Sequence, residues 1–591
     1  MKQAFIFDIL TAFWTVTIFF ILFCWLPIKT SLSDEREFCA SQIVGIWSRT
    51  MLVAIAGVLG LSFLHLLNWL TLTLLYCCFL FSNYLESHGR RSQEYALRVG
   101  QKWLLGLIDV LDSGISFETI KKTASKSWQS VKYGANNALE AVARQGMLVV
   151  LSIAVVLSFA CLLRWQYPLL ELRFSHPDSY GSLLTTRQIL SGYYPDTARL
   201  PVFPTIAAAI SLLGSIEPMQ VIRFLGAILG ILMVLSLGYC LRVMAKNTYA
   251  TLVAMFALGA YLFTWELTIP EAFPESIASW GMAIIETLNA SQIRQWTGSE
   301  LELGVIFVLL SIGYYFNTAK RHRRKAIFWL NLLCALLLVA LTSPILLVLA
   351  IAASIGLIGG RRLALTAVSI AWVVLGVLAA IPQGEFSWAK NFLLTLPVGF
   401  SLLIGLLFLA IAESVSFILG KWSEQFCLAL ACALAVNFLL PLPPKCTYLE
   451  YEITARKSLE LTQFFPRQSW TLVGPAEQLA EIYGSGWYED LAQFVEKYSS
   501  KAEQAEFNFP ISGEHLFIYV EKVPFVTFAT EPEILPNSIL SDRTYRYYRS
   551  SAGRASLEYE ALQMCEAYRH NHPQSEIYYE NEELRIYHFV A

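Results

Sequence analysis

The apolar residues of this 591-residue chain are gathered into blocks rather than dispersed. Most blocks run for roughly 17–25 residues, the length that crosses a ~30 Å hydrocarbon core as a helix. In lipid every backbone N–H and C=O must be satisfied inside the protein, and a helix does this within one segment. The blocks fall at about 4–26, 51–81, 147–164, 221–243, 249–265, 303–317, 326–342, 345–358, 363–381, 392–411 and 425–441. The expected fold class is therefore a polytopic α-helical membrane protein of about eleven transmembrane helices. Composition agrees, with 56% hydrophobic and only 15% charged residues, where soluble domains carry about 25% charged. A soluble enzyme and a disordered chain are excluded on that ground, and the alternating strands of a membrane barrel are absent. A net charge of −2 leaves no basic footprint for nucleic acid.

Loop charges set the expected topology. The first block is longer than a signal-peptide core and lacks a small-x-small cleavage pattern, so it reads as a retained anchor. The polar stretch from Asn83 to Gly146 is rich in Arg and Lys, among them Arg90, Arg91, Lys121, Lys122 and Arg144, which places it in the cytoplasm. Arg242, Lys246, the run Lys320–Lys325, Arg361, Arg362 and Lys421 fall on the same side. This reading puts the N-terminus in the cytoplasm and leaves segments 27–50, 165–220, 266–302, 382–391 and 443–591 outside a plasma (inner) membrane. Four regions follow: 1–82, two N-terminal transmembrane helices; 83–146, a cytoplasmic helical segment; 147–442, the membrane core; and 443–591, an extracytoplasmic soluble α/β domain. In that domain Leu516–Val520, Ile577–Tyr579 and Ile586–Val590 read as strands, and Ala476–Glu481 and Trp487–Tyr498 as helices. The cysteines show no CxxC or Cys/His spacing for zinc. Cys39, Cys446 and Cys565 lie in polar segments and are the candidates for a bridge in an oxidising compartment.

The outer loop 165–220 is long and chemically furnished. It carries Glu171, Arg173, His176, Asp178, Tyr180, Arg187, Tyr193, Tyr194, Asp196 and Arg199, then a Pro-rich turn from Pro201 to Pro204. The apolar stretch Thr205–Ile216 is too short to span and is expected to lie in the outer interface. An acid followed closely by an aromatic (Asp178-Ser179-Tyr180), an arginine-bearing helix (Arg187), the Pro-rich turn, Ser211-Leu-Leu-Gly214 and Arg223 at the next span together resemble the GT-C superfamily. Its members are integral-membrane glycosyltransferases that use polyprenyl-phosphate sugars, such as protein O-mannosyltransferases, lipid A aminoarabinose transferase and the catalytic subunit of oligosaccharyltransferase. The resemblance extends to a second outer loop with further acids, Glu271 and Glu275, and covers roughly 147–441 by organisation. Departures are the extra spans before residue 146 and a short loop 382–391, which offers Gln383 and Glu385.

The resemblance implies transfer of a sugar from a polyprenyl-phosphate-linked lipid to a glycan, lipid or protein acceptor at the outer face of the membrane. Such a reaction must deprotonate an acceptor hydroxyl and stabilise a departing phosphate. A carboxylate near the membrane face can act as base, and Asp178 is the first candidate, with Glu271 and Glu275 beside it. Asp178 with Glu275 would hold a divalent ion, Mn²⁺ or Mg²⁺, because hard cations take carboxylate oxygens. Arg187 and Arg199 would clamp phosphate, with Tyr180 and His176 lining the substrate. Each residue also has a plain structural role open to it: Asp178 as a helix cap, the arginines as headgroup anchors and His176 as a loop hydrogen-bonder. A secondary transporter would show repeats and mid-span charge, and the sequence shows neither repeat nor more than Glu413 near a span end. The alternative is a noncatalytic membrane scaffold, or a degenerate relative, whose outer domain binds a partner or glycan.

Overall fold

The computed structural model describes residues 2–31, 40–88, 147–176, 178–193, 200–261, 275–322, 326–381, 386–419, 448–475, 477–523 and 551–590. They form a mostly helical protein with a small C-terminal sheet. Near the N-terminus are α1 (Lys2–Phe19), continued by a π-helical turn Phe20–Trp25 into α2 (Leu26–Ser31), then α3 (Ala40–Phe63) and α4 (Trp69–His88). After residue 146 come α5 (Met147–Leu170), α6 (Asp178–Leu190), α7 (Val202–Gly214), α8 (Pro218–Ala245) and α9 (Thr248–Gly259). The rest of the membrane part is α10 (Glu275–Thr297), α11 (Glu300–His322), α12 (Ala326–Thr342), α13 (Leu347–Ser354), α14 (Gly356–Ala379), α15 (Lys390–Leu394) and α16 (Leu396–Leu419).

Among the described residues, seven helical segments are long and apolar enough to cross a membrane: Phe7–Ser31, Gln42–Phe63, Val149–Leu170, Pro218–Ala245, Glu300–Thr318, Gly359–Ala379 and Leu396–Val415. The expected count of about eleven is not reached for identifiable reasons. Of the expected blocks 326–342 and 345–358, the first forms the 17-residue α12 and the second, after the break at Ser343-Pro344, the 8-residue α13, and both fall short of the helices counted. Helix α9 has 12 residues, about 18 Å of rise, and the block 425–441 lies outside the described residues. Helices α8 and α11 form the centre: α8 is buried without interruption from Pro218 to Gly230 and α11 from Leu301 to Tyr314.

Two expectations are corrected. The block 51–81 is a hairpin rather than one tilted span: α3 ends at Phe63 and α4 starts at Trp69. The turn between them contains His65 at φ 55 and a reciprocal cap, in which Asn68 Oδ1 accepts the Thr71 N–H at 2.9 Å and Thr71 Oγ1 accepts the Asn68 N–H at 3.2 Å. The extra reversal puts the start of α1 at the same end of the bundle as the C-terminal domain, not the opposite one. There Asp8 pairs with Arg223 at 3.3 Å, while Arg49 and Glu86 pair at 2.8 Å further along α3 and α4. The second correction concerns α7. It does not lie on a lipid surface; from Val202 to Ser211 it is buried among α1, α3, α6 and α8, because every side of it is apolar or small. Glu413, near the end of α16, is matched by Arg362 at 2.7 Å.

The C-terminal domain comprises α17 (Glu452–Phe464), β1 (Trp470–Gly474), α18 (Glu477–Ile482), β2 (Trp487–Asp490), α19 (Leu491–Tyr498), β3 (His515–Glu521), α20 (Ser551–Asn571), β4 (Glu576–Glu580) and β5 (Leu584–Val590). The sheet order is β2-β1-β3-β5-β4, parallel across β2-β1-β3 and antiparallel across β3-β5-β4. Side-chain alternation along β3 feeds two cores: Leu516, Ile518 and Val520 meet α19 and α20, and Phe517 and Tyr519 meet Trp470 and Leu461 on the other face. The stretch Trp487–Tyr498 divides, its aromatic start pairing with β1 and Asp490 capping α19 through the Gln493 N–H. Cys565 is buried in this core, and Cys39 and Cys446 fall outside the described residues.

Candidate functional site

Helix α5 stops at Leu170, and the turn after it is fixed by the C-terminal domain. Glu452 accepts the backbone N–H groups of Leu172 at 2.9 Å and Arg173 at 3.1 Å. Arg173 stacks over the Tyr448 ring at 3.6 Å and donates to the Glu450 carbonyl at 3.0 Å. The chain then delivers His176 and Asp178 to the start of α6. His176 Nδ1 accepts the Asp178 N–H at 3.2 Å and lies 3.5 Å from its carboxylate. It thereby caps an N–H that the helix itself leaves unpaired. Burial and the nearby Arg294 guanidinium pull the His176 imidazole below its usual range, against the opposing pull of Asp178 and Glu302. The neutral ring with its proton on Nε2 is the form that accepts this bond. Asp178 keeps a side-chain exposure of 43% and is the open member of the group.

Facing His176 is the turn between α10 and α11. Ser299 and Glu302 read as a capping box: Ser299 Oγ accepts the Leu301 N–H at 3.2 Å and donates to the Glu302 carboxylate. Glu302 is buried and lies 3.5 Å from Arg294. Glu300 Oε1 accepts the Val202 N–H at 3.0 Å and ties this turn to α7. Asp178, His176, Arg294, Ser299 and Glu302 thus make one polar layer at the end of the bundle that bears the C-terminal domain. Arg294, Ser299 and Glu302 were legible in advance only as a helix end and a cap, and nothing in their spacing assigned them to this layer.

The remaining expected site residues are distributed differently. At 100° per residue, Tyr180 and Arg187 lie about 200° and 180° around α6 from Asp178, so they occupy the opposite face. Both are spent on the seam with the C-terminal domain. The Tyr180 hydroxyl donates to Glu450 Oε1 at 2.5 Å, and burial beside Glu450 holds its pKa well above the usual phenol value. Arg187 pairs with Glu217 and donates to the Tyr483 carbonyl at 3.4 Å. Neither is placed to bind a substrate at Asp178. Arg199 and Glu271 lie outside the described residues. Glu275 begins α10, yet it is Arg294, about 28 Å further along that helix by its rise, that comes to His176. The Glu275 side chain lies outside the described residues, and with it the expected Asp178–Glu275 cation pair. Among the described residues no three His, Cys, Asp or Glu side chains gather to hold a metal.

No protein-family model matches the chain, and no curated protein or solved structure matches it either. The chemistry is argued from the residues alone. A half-exposed carboxylate, positioned by a neutral imidazole at a helix N-terminus, is suited to accepting a proton from a bound hydroxyl. Arg294 sits behind this pair and is held by Glu302.

Proposed function

We propose that the chain is a membrane-embedded transferase that moves a sugar from a polyprenyl-phosphate-linked lipid to a hydroxyl acceptor at the outer face of the plasma membrane. The observation that carries this reading is the setting of Asp178: an open carboxylate at the head of a helix packed between the membrane helices and the C-terminal domain. Asp178 takes the acceptor proton as the acceptor oxygen attacks the anomeric carbon. The bond from that carbon to the phosphate oxygen breaks, and polyprenyl phosphate leaves with the electron pair. His176 is a positioning residue, holding the first turn of α6 and so the aim of Asp178. No step here depends on a divalent ion.

The test is a transfer assay in lipid with polyprenyl-phosphate sugars, comparing wild type with Asp178→Asn, together with mass spectrometry of lipid that co-purifies. Loss of transfer by at least about 10²-fold, the scale of general-base catalysis, with donor lipid retained supports the reading. Equal turnover by the variant, or no bound prenyl lipid in either protein, refutes it. The commitment of Tyr180 and Arg187 to the domain seam favours the scaffold reading as the second possibility, for which Asp178→Asn leaves every binding property intact.

A further inference from the structure

The seam between α6 and the C-terminal domain buries carboxyl groups that the transfer chemistry does not use. Glu450, Glu477 and Glu481 are each 1% exposed or less. Glu450 is fully engaged: Oε1 takes the Tyr180 hydroxyl at 2.5 Å and Oε2 takes the Gln478 side-chain N–H at 2.9 Å. Its carboxyl also faces that of Glu481 within hydrogen-bonding reach. The Ser458 hydroxyl lies beside Glu481, whose oxygens take no hydrogen bond from an N–H among the described residues. Two ionised carboxylates in this setting would repel in a low-dielectric site, with one of them undercompensated.

We propose that Glu450 and Glu481 share a proton and act as a latch that fastens the C-terminal domain to α6 when protonated and loosens it when the proton leaves. Among the described residues, the polar groups that act on the pair come from α6, α17, α18 and β3. From α6 come Tyr180, itself a donor to Glu450, and Arg187, whose charge is met by Glu217. From α18 come Glu477, which adds negative charge, and the neutral Gln478. From α17 comes the Ser458 hydroxyl and from β3 the buried phenol of Tyr519. Arg187 is the cation that acts on Glu481, and it acts from beyond its own ion pair.

The direction of the linkage follows. Burial, above all, raises Glu481 from 4.5 to about 7 and raises Glu450 well above its usual value. The docked state therefore binds more protons than an undocked, solvated one, and docking weakens as pH rises. The undocking equilibrium therefore rises as the pH climbs from the ordinary carboxyl value through the raised one. Below the solvated carboxyl value the contribution is complete, and above about pH 7 it is gone.

Two measurements on the full-length protein in lipid nanodiscs test this. Infrared difference spectroscopy across about pH 5 to about pH 9 is expected to show a carboxylic-acid C=O band that fades around neutrality and is missing from Glu450→Gln and Glu481→Gln. Spin labels at exposed Gln504 and Tyr193 are expected to report one distance at acid pH and a broader, longer distribution above neutrality, with Glu481→Gln, which keeps a neutral side chain of the same shape, holding the acid-state distance throughout. Absence of the band from wild type overturns the proposal without any variant. So does a wild-type distance that ignores pH, or an unaltered pH response in Glu481→Gln.

Discussion

Gly226, in the first third of α8, is the position where the smallest side-chain addition should do the most damage. A β-carbon there would stand 2.0 Å from the Trp296 carbonyl oxygen, 2.6 Å from its carbon and 2.7 Å from the Thr297 carbonyl carbon. Carbon atoms rest at about 3.5–4.0 Å, so the turn that follows α10 would have to retreat by roughly 1 Å. Gly298, at φ 65 in the same turn, approaches as closely: a β-carbon on it would stand 2.7 Å from the Gly226 Cα. The obstruction is backbone on backbone, so no rotamer change relieves it, and overpacking of this kind costs about 1–3 kcal/mol or more. The same turn presents Ser299 and Glu302 to Arg294, so the polar layer around His176 should loosen with it. Thermal unfolding in detergent, followed by the monodisperse fraction after heating, measures the effect for Gly226→Ala. Gly60→Ala in α3 is the control: nothing lies within 4 Å of the added carbon, and alanine there should be neutral or stabilising by up to about 1 kcal/mol. If Gly226→Ala unfolds no earlier than Gly60→Ala, the close approach of α8 to the α10–α11 turn is wrong.

Asp8→Asn removes the carboxylate from the buried Arg223, leaving a guanidinium with Gln220 and the Pro168 carbonyl as its polar contacts. A loss of about 3 kcal/mol is expected, read as a fall in thermal stability that Asp8→Glu partly restores. Tyr180→Phe keeps the packing on Phe174 but deletes the hydroxyl that Glu450 accepts. It should weaken docking of the C-terminal domain by about 1–3 kcal/mol, seen as faster backbone hydrogen exchange across Asp178–Leu190 with no change in α3 or α11.

How much of the site was legible can be traced through α6. The head of the helix is announced by Asp178, and the helical period alone separates Asp178 from Tyr180 and Arg187 onto opposite faces. What the opposite face meets is not written locally. Glu450 is 270 residues away from Tyr180, Glu217 is 30 away from Arg187, and the seam exists only because the C-terminal domain folds back on the outer loops. Arg294 and Glu302 similarly look like a helix end and its neighbour's cap until the turn between them is pressed against His176.

Local chemistry determined which segments become apolar helices, where the strands of the C-terminal domain alternate, and which acid heads α6, because each follows from periods and caps a few residues long. Tertiary structure decided the rest. Hydropathy counted 51–81 as one block, since a five-residue turn capped by Asn68 and Thr71 barely lowers its average, and that one reversal moved the start of α1 to the end of the bundle that carries the C-terminal domain. It also buried α7, whose apolar surface is equally compatible with lipid and with protein. Which partner covers an apolar face, and which distant carboxylate meets a buried arginine or tyrosine, are questions of long-range packing, and a one-dimensional pattern carries no term for them.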